Sequence, residues 1–195
     1  VTAPLRNAPE DDRAALPDSE DRIVSAGRLT LEIVELDRTW QEFLPDIDAL
    51  VAAAIAALAA ERTDLAGTAI LALASDAEVQ ALNHRFRQKN KPTNVLSFPA
   101  RDLADHSRLG DIVLARQTIA GEASDLSLPT AHHLQHLVVH GLLHLLGFDH
   151  ETDTDAEVME AIETRVLGRL GIADPYKEPP IRPAGDTRPE REDRR

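Results

Sequence analysis

The sequence predicts a single α+β domain of the α/β type, a small mixed sheet of four strands with about five helices around it. Three observations carry this prediction. Four short stretches with strand character are interleaved with five helical ones, the pattern that layers helices onto a sheet. The 195 residues are 43% hydrophobic but only 3% aromatic, so the core must be built from Leu, Ile, Val and Ala. Both ends differ in composition from the middle: residues 1–27 are rich in Pro, Asp, Glu and Ala without a period, and KEPPIRPAGDTRPEREDRR at 177–195 is Pro-rich and charged. Both ends read as disordered tails, which leaves 28–176 as the folded domain.

In chain order, RLTLEIVEL at 28–36 alternates apolar and polar residues, as a half-buried strand does. Asp46 is placed to cap a helix through IDALVAAAIAALAAER. TAILALA at 68–74 is a short apolar run, a buried strand. Ser75 and Glu78 make an S-x-x-E capping box that opens a helix from 76 to about 88. KPTN at 91–94 is turn chemistry before a short strand, NVLSF. A polar loop from Asp102 to Arg108 leads to the fourth strand, GDIVLA, and helix signals return from Arg116 to Ser124. Pro129 suits the start of a long helix over 131–146, which Gly147 stops. Thr154 and Glu157 form a second capping box for a final helix ending near Gly171.

Composition narrows the function. With no cysteine there is no disulfide, no Cys-ligated zinc and no thiol nucleophile, which fits a reducing cytoplasm. No apolar run approaches the length of a membrane span, and the first residues lack the basic-then-apolar order of a secretory signal. The expected location is therefore cytoplasmic, with no membrane partner. A net charge of −13 argues against general nucleic-acid binding, and DNA is not an expected partner. The charge is unevenly spread. Residues 149–163 hold seven acids and no Lys or Arg, whereas RFRQKNK at 85–91 holds four basic residues and no acid. Such a segment can bind a polyanion, although on charge alone a solvated loop is the simpler reading.

Six of the eight histidines fall between 132 and 150. In HGLLHLLGFDH, His140, His144 and His150 stand at offsets 0, 4 and 10 with Gly147 at offset 7. Two histidines four apart on a helix are rotated by about 40° and rise about 6 Å, so their rings project from one face. Gly147 lets the chain leave the helix and return, bringing His150 towards the same point. Three neutral nitrogens without a fourth protein ligand are the catalytic zinc pattern, in which one position stays open for water. The stripe His132, His136, His140, His144 would also suit a polar helix face. The third histidine and the helix-stopping glycine favour the metal, whereas His132, His133 and His136 read as packing or outer residues. The acidic run FDHETDTDAE has no frame with Gly at position 6 and a carboxylate at 12, so it is not an EF-hand. Its acids suit the N-terminus of the last helix, and Asp149 is placed to orient an imidazole or hold the turn.

A zinc protease of the H-E-x-x-H-x-x-G-x-x-H type has a glutamate base where this chain has Gly141. Peptide hydrolysis must protonate a poor amine leaving group, so the missing acid/base matters there. Phosphodiester cleavage depends more on stabilising negative charge, which suits a metal and an arginine.

HGLLHLLGFDH, together with LNHRFRQKNKPTNVLSFP at 82–99, LGDIVLA at 109–115 and EVMEAIETRVLGRLGIADPY, resembles the YbeY family of bacterial metal-dependent endoribonucleases. The similarity covers roughly 80–176, about half of the chain, closely. It implies single-strand-specific RNA cleavage, maturation of the small-subunit rRNA 3′ end and a part in ribosome quality control. The implied partners are precursor rRNA, the small ribosomal subunit and its assembly factors. The resemblance also implies one zinc ion held by His140, His144 and His150, with a functional arginine at Arg87. Asn94 stands where many members have Asp.

On the residues, Arg87 would neutralise charge on the scissile phosphate or clamp the substrate; the competing reading is a helix-end arginine in a surface salt bridge. Lys89 and Lys91 would track the RNA backbone. NVLSFP would line the cleft, with Ser97 or Phe98 near a base. So few aromatics leave little for base stacking, so sequence specificity is weak or comes from a partner. Two other readings stay open: a zinc peptidase or amidase whose base is Asp149 or Asp111, and a non-catalytic ribosome-assembly module with structural zinc.

Overall fold

The computed structural model describes residues 22–100 and 107–177. Its sheet has five strands in the order β1-β2-β3-β5-β4. β1 (Arg22–Ala26) pairs antiparallel with β2 (Arg28–Glu35), and Ala26 faces Leu29 across the two-residue loop Gly27–Arg28. Gly27 has φ 60, the left-handed first position of a type II′ hairpin. β1 corrects the expected strand count of four, and it lies in the stretch read as tail. The remainder of that stretch, 1–21, and of the C-terminal one, 178–195, lies outside the described residues.

β2 runs parallel to β3 (Ala66–Ala74), and β3 runs parallel to β5 (Arg108–Ala115). β4 (Val95–Pro99) closes the other edge antiparallel to β5. The central strands are buried on both faces, which is why TAILALA and GDIVLA read as continuous apolar runs. Arg108, expected in a loop, opens β5. The loop expected from Asp102 lies outside the described residues up to residue 106.

Six helices are present among the described residues, one more than expected. The addition is α1 (Trp40–Phe43), a single turn that seats the fully buried Trp40, whose indole N–H donates to the Ala74 carbonyl at 3.0 Å. The others are α2 (Ile47–Glu61), α3 (Asp76–Arg87), α4 (Arg116–Asp125), α5 (Thr130–Leu145) and α6 (Asp153–Arg169). Ser75 and Glu78 close the expected capping box on α3. Asp46 occupies the N-cap of α2 without making a side-chain bond. α6 is capped by Thr152, not Thr154. Thr152 is still extended, and its hydroxyl oxygen accepts the Asp155 N–H at 3.2 Å, whereas Thr154 is already helical.

The alternation of β2 and β3 sorts the core into two layers. Leu29, Leu31, Ile33, Leu71, Leu73, Ile112 and Leu114 meet α2, α5 and α6 on one face. Ala72, Ala74, Leu96, Phe98, Val113 and Ala115 meet α3 on the other through Val79, Leu82 and Phe86. Arg165 and Arg169 of α6 both bond Glu61 at the end of α2, at 2.6 and 2.9 Å. This clamps α6 to α2.

Candidate metal centre

α5 carries the site, and its end decides the site's geometry. After Leu146, Gly147 turns left-handed with φ 87. Its N–H bonds the His144 carbonyl at 3.1 Å, and the next N–H, from Phe148, bonds the Leu143 carbonyl at 3.0 Å. These two bonds make a Schellman stop, which turns the chain sharply back. Asp149 then accepts the backbone N–H of His150 at 2.7 Å, so Asp149 holds the turn. As a result His140, His144 and His150 each offer a ligand atom, and these atoms all lie within 4.8 Å of one another. Ring centroids are 4.6 Å apart for His140 and His144, and 5.1 Å for His144 and His150.

The hydrogen bonds fix the tautomers of the two helix histidines. His144 Nδ1 lies 3.0 Å from the Phe148 carbonyl, which can only accept, so Nδ1 carries the proton. His140 Nδ1 lies 2.8 Å from Glu163 Oε1, and the same logic holds for an ionised carboxylate. Both rings therefore present bare Nε2 lone pairs, which face each other at 3.0 Å. Two acceptors at that separation repel unless a cation joins them. Tetrahedral zinc with bonds near 2.05 Å sets its nitrogens about 3.3 Å apart, so the pair suits one shared ion. Burial, reinforced by the neighbouring His140 and His150, pushes the His144 pKa down against the pull of the Phe148 carbonyl and Asp149. That favours the neutral imidazole a metal needs.

Glu163 is the residue that the sequence reading passed over. It is fully buried on α6, and its Oε2 accepts from the Tyr176 hydroxyl and faces His136 Nε2 at 3.4 Å. Burial pushes the carboxyl up, but hydrogen bonds from His136, His140 and Tyr176 outweigh it and leave Glu163 at about 2. Burial, with the Glu163 carboxylate beside it, drives the Tyr176 pKa upward. A signal for Glu163 was present in the sequence. It falls on the apolar stripe Met159, Ile162, Val166 and Leu167 of α6, where an acid has no reason to be unless something inside binds it.

Gly141 is buried against the sheet. A Cβ there would lie 3.0 Å from Ile112 Cγ2 and 3.3 Å from Ser97 Oγ, so this position packs on β4 and β5. The Ser97 hydroxyl, expected to face substrate, donates to the Gly141 carbonyl at 3.3 Å. Phe98 is 5% exposed and meets Phe86 edge-on at 5.2 Å, so it is closed to a stacking base. Asp111 is fully buried, shares the α3 face of β5 with Val113 and Ala115, and pairs with Arg108 at 2.9 Å. Asp111 therefore faces away from the α5 side of the sheet and is not placed as a base for a peptidase, whereas Asp149 gives one carboxylate oxygen to the turn. Asn94 suits its setting: its amide donates to Glu122 Oε2 at 2.9 Å, where His133 Nε2 also binds at 2.8 Å. An aspartate there would set two carboxylates against each other.

Arg87 ends α3, and Gln88 behind it takes the left-handed conformation with φ 59. The Asn83 amide donates to the Lys91 carbonyl at 2.7 Å, and Gln80 bonds Asn90 at 3.0 Å, so the basic segment is anchored to α3. Arg87, Lys89 and Lys91 are exposed, and among the described residues none makes an ion pair or side-chain hydrogen bond. The surface salt bridge considered for Arg87 is thus not formed there. No described contact joins Arg87 to the histidines. The two groups flank edge strand β4: Phe86 packs on Phe98 from one side, and Gly141 meets Ser97 from the other.

Among the described residues, no helix is long and apolar enough to cross a membrane. Comparison with family models matches residues 36–171 to one described as Endoribonuclease YbeY. The chain is 44% identical over 156 residues to the endoribonuclease YbeY of Azorhizobium caulinodans, covering 77% of this chain and 98% of that protein. It is 48% identical over 147 residues to the endoribonuclease YbeY of Maricaulis maris, covering 75% and 91%. Among solved structures, it is similar to the solution structure of TM1509 from Thermotoga maritima, with 25% identity, a TM-score of 0.48 and coverage of 76% and 99%.

Proposed function

The chain belongs to the YbeY endoribonuclease family, and from that premise we propose that it is a zinc-dependent endoribonuclease for single-stranded RNA. Its substrate is precursor rRNA in the cytoplasm. It matures the 3′ end of the small-subunit rRNA and serves ribosome quality control, alongside the small subunit and its assembly factors. The observation that carries the metal reading is the pair of Nε2 lone pairs 3.0 Å apart, each ring's proton being committed elsewhere. His140, His144 and His150 are the ligands. The chemistry such an ion supplies is polarisation of a phosphoryl oxygen and acidification of a water molecule.

The protein's own groups divide the remaining work. Glu163 and the Phe148 carbonyl orient two ligand rings by accepting their Nδ1 protons. Arg87 offers a guanidinium, unpaired among the described residues, on the far flank of β4, so RNA crossing this edge strand meets the metal on one side and Arg87 on the other. There Arg87 clamps the substrate, and with Lys89 and Lys91 it holds phosphates that neighbour the scissile one. Ser97 acts on the substrate indirectly, by fixing β4 against α5. Phe98 being closed, base identity has little to read, in keeping with a single-strand preference of low sequence specificity.

Replacement of the wild-type chain in cells by His144→Ala tests the reading. Unprocessed small-subunit rRNA should accumulate, and the purified variant should lose both zinc and RNA cleavage. Metal-replete wild-type protein that cuts single-stranded RNA no better than His144→Ala would end the nuclease claim. Product ends identify the nucleophile: a 2′,3′-cyclic phosphate marks the ribose 2′-OH, and a 5′-phosphate with a 3′-OH marks water.

A further inference from the structure

We propose that Tyr176 is a positioning residue for the metal centre, holding His140 in its ligand orientation through the buried carboxylate of Glu163. The inference rests on the reading of His140, His144 and His150 as metal ligands. The terminal torsion of a glutamate is broad, so a single hydrogen bond, accepted by Oε1 from His140, leaves the carboxylate free to rotate. The Tyr176 hydroxyl removes that freedom by donating to Oε2, where His136 Nε2 also approaches at 3.4 Å. Oε1 is then aimed at His140 Nδ1, 2.8 Å away, and Nε2 of that ring is aimed at the ion site.

His136, His140 and Glu163 also lie close enough to be a metal group in their own right. Hydrogen-bond donors already take up both carboxylate oxygens, so this trio is the support of the first site and not a second one.

Tyr176 is itself held in place. Asp174 Oδ1 accepts the Tyr176 backbone N–H at 3.0 Å and the Thr164 hydroxyl at 3.2 Å, which ties the segment after α6 back onto that helix. The ring stands edge-on to His136 at 6.1 Å, and His136 stands edge-on to His140 at 6.2 Å. Tyr176 is also the one tyrosine in the chain.

The test uses the full chain as wild type, Tyr176→Phe, Glu163→Gln and the double variant. Zinc affinity is measured by competition with a chromophoric chelator, and the cobalt(II)-loaded forms are compared by their d–d bands. Glu163→Gln should weaken zinc by about 10- to 100-fold, the range for lost outer support of a ligand. Tyr176→Phe should weaken it less and shift the cobalt bands in the same direction, with only a small drop in the metal-free melting temperature from the lost hydrogen bond. The double variant should match Glu163→Gln alone, because Tyr176 acts through Glu163. Wild-type affinity and wild-type cobalt bands in Tyr176→Phe overturn the inference, as does a double variant whose loss is the product of the two single losses. A wild-type chain that takes up neither zinc nor cobalt overturns the metal reading itself, and this inference with it. Tyr176 is 44% exposed, so Tyr176→Phe keeps the fold and decides the matter even if Glu163→Gln does not fold.

Discussion

Gly141→Glu completes the zinc-protease pattern in the sequence, yet it should destroy the fold without creating a peptidase. The first added carbon already sits 3.0 and 3.2 Å from Ile112 Cγ2 and Cδ1. Ile112 is fully buried and has little room to yield. For Gly141→Ala, a gain of about 1 kcal/mol in helix propensity meets an overpacking cost of about 1–3 kcal/mol. The net effect is a loss of up to about 2 kcal/mol. Glutamate adds two more carbons and an ionisable head against an aliphatic wall, which costs several kcal/mol more. The sum is comparable with the whole stability of a domain, about 5–15 kcal/mol. Urea unfolding followed by the fluorescence of Trp40, the single tryptophan and fully buried, reads this directly. Gly141→Ala should lower the midpoint without changing the slope, and Gly141→Glu should be unfolded or insoluble without denaturant. A folded Gly141→Glu with a wild-type midpoint would refute the packing argument, and a new peptidase activity in it would revive the protease reading.

Three further outcomes are expected. Arg87→Glu should change unfolding stability by no more than about 0.5 kcal/mol and leave zinc content unchanged, while cleavage falls by about 100-fold or more; a large loss of stability would mark Arg87 as structural. Affinity for single-stranded RNA should fall with log salt at a slope of about −0.7 per phosphate neutralised, so Arg85, Arg87, Lys89 and Lys91 together give about −2.8 and Lys89→Glu/Lys91→Glu about −1.4; an unchanged slope in the double variant removes the lysines from the RNA path. Burial raises the Asp37 carboxyl, but Thr39 and Arg116 (2.9 Å away) outweigh it and hold its pKa below the ordinary 3.8. The unfolded chain therefore binds the proton more readily, and the stabilisation from Asp37 is full above the unfolded value and lost as pH falls through the folded one. Asp37→Asn should flatten that acid limb in melts across the range, and an identical limb in both proteins would contradict the assignment.

Much of the fold was readable because it rests on local rules. The capping box at Ser75 and Glu78, the alternation of β2 and the glycine stop of α5 each depend on residues within one or two turns of each other. β1 is masked by the Pro- and acid-rich flank that dominates its neighbourhood, although Gly27–Arg28 followed by LTLEIVE is itself a hairpin signal. Thr154 competes with Thr152 for the cap because both carry the cap chemistry three residues before an acid, and the choice between them depends on where the chain leaving His150 becomes helical. In the site, the spacing of His140, His144 and His150 was legible because helix pitch and a Schellman turn convert spacing into geometry. Glu163 shows in the sequence only as an acid on an apolar stripe; its partner is not legible there, since it lies on a different helix and the role exists only once α6 docks against α5.

By itself, the sequence determined an α+β domain, a three-histidine cluster on one helix end, a basic segment after another helix and the family to which these motifs belong. These features are encoded by periodicity and by short-range caps and turns, which do not wait for the rest of the chain. Tertiary structure alone decided which way each group faces. It turned Gly141 into the sheet and Ser97 into the helix, set Arg87 and the histidines on opposite flanks of β4, and brought Glu163 and Tyr176 behind His140. Those outcomes depend on which faces of β4, α5 and α6 meet, and contacts between residues distant in the chain follow packing of whole elements that no local pattern specifies.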